Sequence, residues 1–161
     1  MIERGLPKAF LEREIKNDWL TPEEKFVLTS FPLISGKKFN DLSGMLVPDV
    51  TFIDPHFSPR PITGRKEVVE ALTEGFRNIH SINFEVEALN TMKDPSKIQS
   101  SVMVGVFTTT TTTVVTPSDE LSEMSVRQAF LFKVGKLDGN MVLTHVEAFP
   151  QYPPPNEMGG K

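Results

Sequence analysis

Apolar residues recur at two different periods along this chain. Up to about residue 80 most return every three or four positions, the spacing of a helix face; from about Ile82 they alternate, the spacing of a half-buried strand. In Pro7 to Leu20, Phe10, Leu11, Ile15 and Trp19 share one stripe, with Arg13, Glu14, Lys16 and Asn17 largely off it. This predicts an amphipathic helix, either docked on the surface or serving as a lid over a pocket mouth or a dimer arm. Thr21-Pro22-Glu23-Glu24 opens a second helix: Thr21 is the N-cap, Pro22 fits the first position and Glu24 completes a capping box. Phe26, Val27, Phe31, Leu33 and Ile34 follow on it, with a kink or break expected at Pro32 and a stop at Gly36. A short helix is expected over about Lys38 to Leu46.

Val50 to Asp54 is β-like, with Val50, Phe52 and Asp54 on one face, and Pro55, Pro59 and Pro61 make the stretch after it irregular. Thr63-Gly64 opens a third helix carrying Val68, Val69, Leu72 and Phe76; His80 closes it, where a cation suits the helix dipole. Phe84, Val86 and Ala88 then mark a strand. A turn at Asp94-Pro95-Ser96 leads to a long β segment, Gln99 to Val115, whose six consecutive threonines, Thr108 to Thr113, are β-branched and flanked by apolar residues. A polar loop over Thr116 to Glu123, a strand over Met124 to Val134, an Asp138-Gly139 turn and a last strand over Met141 to Phe149 complete the pattern. Helices, a short strand, a helix and then antiparallel strands make an α+β domain. A curved sheet with helices on one face encloses a conical space suited to a small molecule. The expected organisation is an N-terminal helical extension over residues 1–20, the domain over 21–150, and an extended Pro/Gly tail over 151–161.

Composition narrows the function. The 161 residues are 39% hydrophobic and 24% charged, with net charge −4 and pI about 5.4. No basic stripe is present for nucleic acid or anionic lipid, so neither nucleic acid nor membrane is an expected partner. With no cysteine, thiolate catalysis and Cys-type zinc sites are excluded. The N-terminal residues lack the apolar run of a signal peptide, and a cytoplasmic protein is expected. No phosphate loop, nucleophile elbow, nucleotide fingerprint or metal motif occurs, so neither cofactor nor metal is expected.

Two stretches carry a resemblance. Leu46-Val47-Pro48-Asp49-Val50-Thr51-Phe52-Ile53-Asp54-Pro55, followed by Pro61-Ile62-Thr63-Gly64-Arg65-Lys66-Glu67, resembles SnoaL-like and ketosteroid isomerase-like proteins, in which a short strand ends in Asp-Pro and a glycine opens the next helix. Phe130-Leu131-Phe132, the Lys136 to Asn140 turn and the Glu147-Ala148-Phe149 strand end resemble the family's last two strands. The likeness covers about Glu23 to Phe149. It implies the cystatin-like, nuclear transport factor 2-like fold, a curved antiparallel sheet forming a cone-shaped half-barrel against N-terminal helices. It also implies a homodimer through the sheet and a hydrophobic small-molecule substrate. The family's general base falls on Asp54. Its oxyanion-hole tyrosine falls near Ser30 and its strand acid on Gln128, so the steroid-type oxyanion hole is not reproduced.

Asp54 shares a face with Phe52, so it either points into an apolar cavity as a base or caps the loop after it. Gln128 sits between Val126 and Phe130 on an apolar face, as a structural hub or a carbonyl anchor. His145 and Glu147 alternate with Leu143 and Phe149. They line the cavity if Phe149 does, and lie outside if Val142, Val146 and Ala148 point inward; the resemblance favours His145 in the pocket. The expected catalytic set is therefore Asp54, His145 and Gln128, with His56, Phe52, Phe130, Glu147 and Phe149 contacting substrate. Isomerisation, cyclisation or dehydration of a carbonyl-containing polyketide or terpenoid would follow by acid/base catalysis; the alternative is a non-catalytic ligand-binding or protein-docking module.

Overall fold

The computed structural model describes residues 20–93 and 101–151, with side chains through Phe149. The expected helix over Pro7 to Leu20 (all but its last residue), the Asp94-Pro95-Ser96 turn and the tail beyond Gln151 lie outside the described residues. Among the described residues there are four helices, α1 (Pro22–Leu28), α2 (Ser30–Ser35), α3 (Phe39–Ser43) and α4 (Arg65–Gly75). Six strands accompany them: β1 (Leu46–Ile53), β2 (Ile62–Thr63), β3 (Ile79–Lys93), β4 (Val102–Val115), β5 (Leu121–Leu137) and β6 (Asn140–Gln151).

The N-terminal signals act as their chemistry dictates. Thr21 Oγ1 accepts from the Glu24 backbone N–H at 3.1 Å and Glu24 Oε1 accepts from the Thr21 N–H at 3.0 Å, closing the capping box. The other Glu24 oxygen accepts from the Thr91 hydroxyl at 2.6 Å, which ties α1 to β3. The helix breaks at Thr29 rather than at Pro32 itself. A proline lacks the N–H that would bond the carbonyl four residues earlier, here that of Leu28, and its ring clashes with it. At the other end of the helical half, α4 stops at Gly75. Phe76 turns inward there onto Phe39 and Phe57, with ring centroids 5.2 and 5.5 Å away. His80 therefore lies in β3 and not at a helix end.

The strands form one open six-stranded sheet in the order β2-β1-β6-β5-β4-β3. β3 to β6 pair antiparallel in sequence, while β1 joins β6 in parallel, pairing Phe52 with Val146 and Ile53 with Glu147. Asp138 and Gly139 both take positive φ in the two-residue turn between β5 and β6, as a primed hairpin turn requires. The core lies between one face of the sheet and the helices. At its centre Phe31 of α2 meets Phe84, Phe130 and Phe132 edge-on at 5.0, 5.5 and 5.7 Å. Such aromatic contacts each add about 0.5–1.5 kcal/mol beyond the area they bury.

Two bulges overturn the simple alternation read from the sequence. Val86 pairs with Thr108 but Ala88 pairs with Phe107, leaving Glu87 as an extra residue. Phe84 and Val86 therefore face the core, while Ala88 is exposed and Leu89 packs inward. Likewise Val134 pairs with Leu143 and Lys133 with His145, so Thr144 is extra. Leu143 is fully buried before this bulge, and Val146 and Ala148 are the buried residues after it. A one-residue insertion reverses which parity faces inward.

Candidate functional site

The strand residues leading to Asp54 build one end of a cavity. Phe52 points inward from β1, and Asp54 follows the last strand residue, where the chain turns under Pro55. Asp54 is 7% exposed. One carboxylate oxygen, Oδ1, accepts the His56 backbone N–H at 2.9 Å and lies 3.3 Å from His56 Nδ1. The Asp54 carbonyl accepts from the N–H groups of Phe57 and Ser58 at 3.0 and 3.1 Å. The loop-capping and pocket-acid readings of this residue are therefore compatible: Oδ1 caps the turn, and Oδ2 accepts no hydrogen bond among the described residues. Burial raises the Asp54 pKa above its ordinary value, and the hydrogen bonds and charge of His56 only partly oppose this.

Behind the loop, α4 is placed by Gly64, whose φ of 108° is costly for any other residue. Its N–H donates to Val50 O at 2.8 Å, locking the helix start to β1. At the far end of α4 the Phe57 ring lies where a side chain on Gly75 would be. A Cβ there would come within 2.2 Å of two ring carbons. Phe57 also stacks on Phe76 with an interplanar angle of 2°.

Between the helices and the inner face of the sheet lies a partly open cavity of about 240 Å³. Asp54, His56, Phe52, Gln128 and Phe130 all line it. Aromatic rings dominate its wall, with Phe31, Phe57, Phe76, Phe84 and Phe132 joining Phe52 and Phe130. The polar groups other than Asp54 and His56 are Thr110, Thr112 and Gln128, from β4 and β5. No lysine or arginine is among the lining residues. Gln128 is 9% exposed, and its amide has no hydrogen-bond partner among the described residues. In contrast, the Thr110 hydroxyl shares a 2.9 Å hydrogen bond with that of Thr108.

His145, Glu147 and Phe149 do not reach this cavity. The bulge at Thr144 turns them to the outer face of the sheet, and Val146 and Ala148 line the cavity in their place. There His145 Nε2 and Glu147 Oε1 pair at 3.0 Å, and Phe149 is 47% exposed. Expecting these three in the pocket is thus corrected by the strand's parity. Ser30, near the expected tyrosine position, gives its hydroxyl to Val27 O at 2.7 Å and is buried. Among the described residues, no three His, Asp or Glu side chains come together to hold a metal ion.

Thr110, Thr112 and Phe57 were not singled out by sequence reasoning. The threonine run reads as strand, but only strand parity, anchored by the buried Val104 and Val106, sends the even-numbered hydroxyls inward. For Phe57, the signal available was an aromatic residue in a proline-rich loop directly after the candidate acid.

No protein-family model and no curated protein sequence matches the chain. Solved structures do resemble it. A protein of cystatin-like fold from Caulobacter vibrioides superposes with a TM-score of 0.65 at 13% identity, over 84% of this chain and 91% of that one. A protein assigned as a SnoaL-like polyketide cyclase from Shewanella putrefaciens CN-32 gives 0.65 at 12% identity, over 83% and 92%. One assigned as a scytalone dehydratase from Novosphingobium aromaticivorans DSM 12444 gives 0.65 at 13%, over 87% and 89%. The chain thus has the cystatin-like, nuclear transport factor 2-like fold, the cone shape on which the structures assigned as SnoaL-like cyclases and scytalone dehydratase are also built.

Proposed function

We propose that the protein is an enzyme acting by general acid/base catalysis on a hydrophobic carbonyl compound of polyketide or terpenoid type. The observation that carries this is Asp54, a buried carboxylate that lines an aromatic cavity and has its Oδ1 held by the loop. In this reading Asp54 removes a proton from the carbon next to a substrate carbonyl, using Oδ2. Gln128 lies two strands from β1, across β6, and three residues along β5 from Leu131, the residue level with Ile53 through Glu147. Its amide donates to the carbonyl oxygen on which negative charge develops as the proton leaves. Returning the proton at another carbon gives isomerisation, expelling a β-hydroxyl with a proton gives dehydration, and attack of the enolate on a second carbonyl gives cyclisation.

His56, which lines the cavity beside Asp54, takes the place of His145 as the acid. A homodimer is proposed on the outer face of the sheet, where Phe107, Ala129 and Phe149 fall in one register row. Phe107 and Phe149 are 45% and 47% exposed there, beside the His145–Glu147 pair. The cytoplasm is the proposed location; among the described residues no helix is long and apolar enough to cross a membrane. The test of catalysis is Asp54→Asn assayed on a panel of cyclic ketones by proton exchange at the carbon beside the carbonyl. Wild-type exchange that survives unchanged in this variant would remove Asp54 from the mechanism.

A further inference from the structure

The character of the cavity wall restricts what can occupy it. At about 240 Å³ it falls below the roughly 300–1,000 Å³ of pockets that hold drug-sized ligands. A single ring or two fused rings fit that space; a four-ring skeleton does not. The faces are aromatic, which suits a flat ligand that can stack or sit edge-on. Charge is restricted further. Among the described residues the lining includes one buried carboxylate and no lysine or arginine, and its histidine has a half-exposed side chain. An anionic ligand would lose its hydration without gaining a cation and would sit beside Asp54.

The polar groups are also unevenly placed. Gln128 pairs in register with Thr108, Val126 with Thr110 and Met124 with Thr112, so the inward-facing Gln128, Thr110 and Thr112 form a short track along the β4–β5 wall. Asp54 lies across the sheet, beyond β6. The track begins at Gln128, 9% exposed and with no side-chain hydrogen-bond partner among the described residues, and runs toward Met124, which is 61% exposed. A buried amide left unpaired costs free energy that a bound oxygen substituent removes.

We infer that the cavity takes an uncharged ligand of one or two fused rings whose hydroxyl or carbonyl oxygens lie along the Gln128–Thr110–Thr112 wall, and that it rejects carboxylates, phosphates and larger ring systems. This inference rests on the reading of the Asp54 cavity as the substrate site. It concerns binding alone, so it can fail while catalysis stands.

The experiment compares 2-naphthol with 2-naphthoate, the same bicyclic skeleton without and with a charge, by calorimetric titration of the full chain at pH 7. Wild type is expected to bind 2-naphthol at least tenfold more tightly than 2-naphthoate. Gln128→Met should weaken 2-naphthol at least fivefold while its melting curve stays cooperative. Gln128→Glu, which keeps the size and acceptor but adds charge, should weaken it further. Asp54→Asn should narrow the naphthol–naphthoate gap by improving naphthoate binding. Equal or tighter binding of naphthoate to wild type overturns the inference, as does saturable binding of neither compound. Tighter binding of a four-ring steroid ketone than of 2-naphthol overturns the size limit. Selective naphthol binding without Asp54-dependent proton exchange on any ketone keeps the inference and removes the catalytic reading. Naphthoate preference together with Asp54-dependent exchange does the reverse.

Discussion

His56 touches Asp54 twice through the same oxygen: its backbone N–H donates to Oδ1 at 2.9 Å and its ring Nδ1 lies 3.3 Å away. Burial is nevertheless the largest influence on the carboxyl and raises its pKa above 3.8. The folded chain then holds a proton that the unfolded chain releases at lower pH. Asp54 therefore destabilises the fold increasingly as pH rises from 3.8 through the raised folded value, and the penalty is fully expressed above it. Asp54→Asn, which still accepts the His56 N–H, should be more stable than wild type at neutral pH. The gap should close as pH falls below 3.8. Melting temperatures of both proteins across pH 3 to 8 test this, and a pH-independent difference would contradict it. Turnover of a ketone substrate should fall by about 10²–10⁴-fold in the same variant, the usual contribution of a positioned base.

The His56 ring also acts on the Asp54 carboxyl. Its charge and side-chain hydrogen bond both lower the Asp54 pKa, while the backbone donor survives substitution. In His56→Ala the acid limb of the kcat/KM profile should move to higher pH, because a smaller fraction of Asp54 is ionised at any given acidic pH. The loss of kcat/KM should be larger at pH 5 than at pH 8. A uniform loss across the profile would assign His56 a role in substrate contact alone.

Gln128 carries a different expectation, in which stability and binding move in opposite directions. A buried, unpaired amide costs about 1–3 kcal/mol. Gln128→Met keeps the side-chain length and removes the polar group. A gain of about 1 kcal/mol in stability would appear as a rise of about 2–4 °C in melting temperature for a chain of this size. The same variant should bind a neutral bicyclic ligand less well. Trading stability for function in this way is expected of a group kept for a ligand and not for the core. Destabilisation by the substitution would mean that the amide is satisfied in solution.

The local signals that survived folding were those set by backbone chemistry. The Thr21–Glu24 box, the break caused by Pro32, the Asp138-Gly139 turn and the helix-opening Gly64 are each decided within a few residues, and each is visible in the sequence. Asp54 at the end of β1 and the inward face of β5 were legible too, because Val126, Gln128, Phe130, Phe132 and Val134 alternate without interruption. His145, Glu147 and Phe149 were misplaced because both faces of β6 are apolar and one residue, Thr144, resets the alternation. A bulge has no strong local signature in a β-branched stretch; it is fixed by how β5 and β6 match in length and twist. The parallel pairing of β1 with β6 was illegible for a related reason, since it joins segments about 90 residues apart through contacts that neither specifies alone.

The outer face supplies a test of association. Phe107, Ala129 and Phe149 stand side by side across β4, β5 and β6, with both rings substantially exposed. Phe149→Glu should shift the protein from dimer to monomer in light scattering coupled to size exclusion, with little change in the far-ultraviolet spectrum. A fixed molar mass across wild type, Phe149→Glu and Phe107→Glu would show that this face does not carry the association.

Phe57 packs the Asp54 loop against the end of α4 at Gly75. Phe57 follows Asp54 by three residues, and its ring occupies the space that a side chain on Gly75 would need; Cδ1 and Cε1 would each lie 2.2 Å from the added Cβ. Alanine is a better helix former than glycine by about 1 kcal/mol, so propensity alone would make Gly75→Ala stabilising. Overlap of this size opposes it, since forcing a methyl group into a packed site costs about 1–3 kcal/mol. The two terms predict net destabilisation of up to about 2 kcal/mol. Displacing Phe57 should also move Asp54 and His56, lowering kcat more than it raises KM. Phe57→Ala removes the obstructing ring, so adding Gly75→Ala to that background should cost nothing or stabilise the protein. A double-mutant cycle by urea denaturation measures the coupling, and additive effects would show that Gly75 does not set the position of the loop.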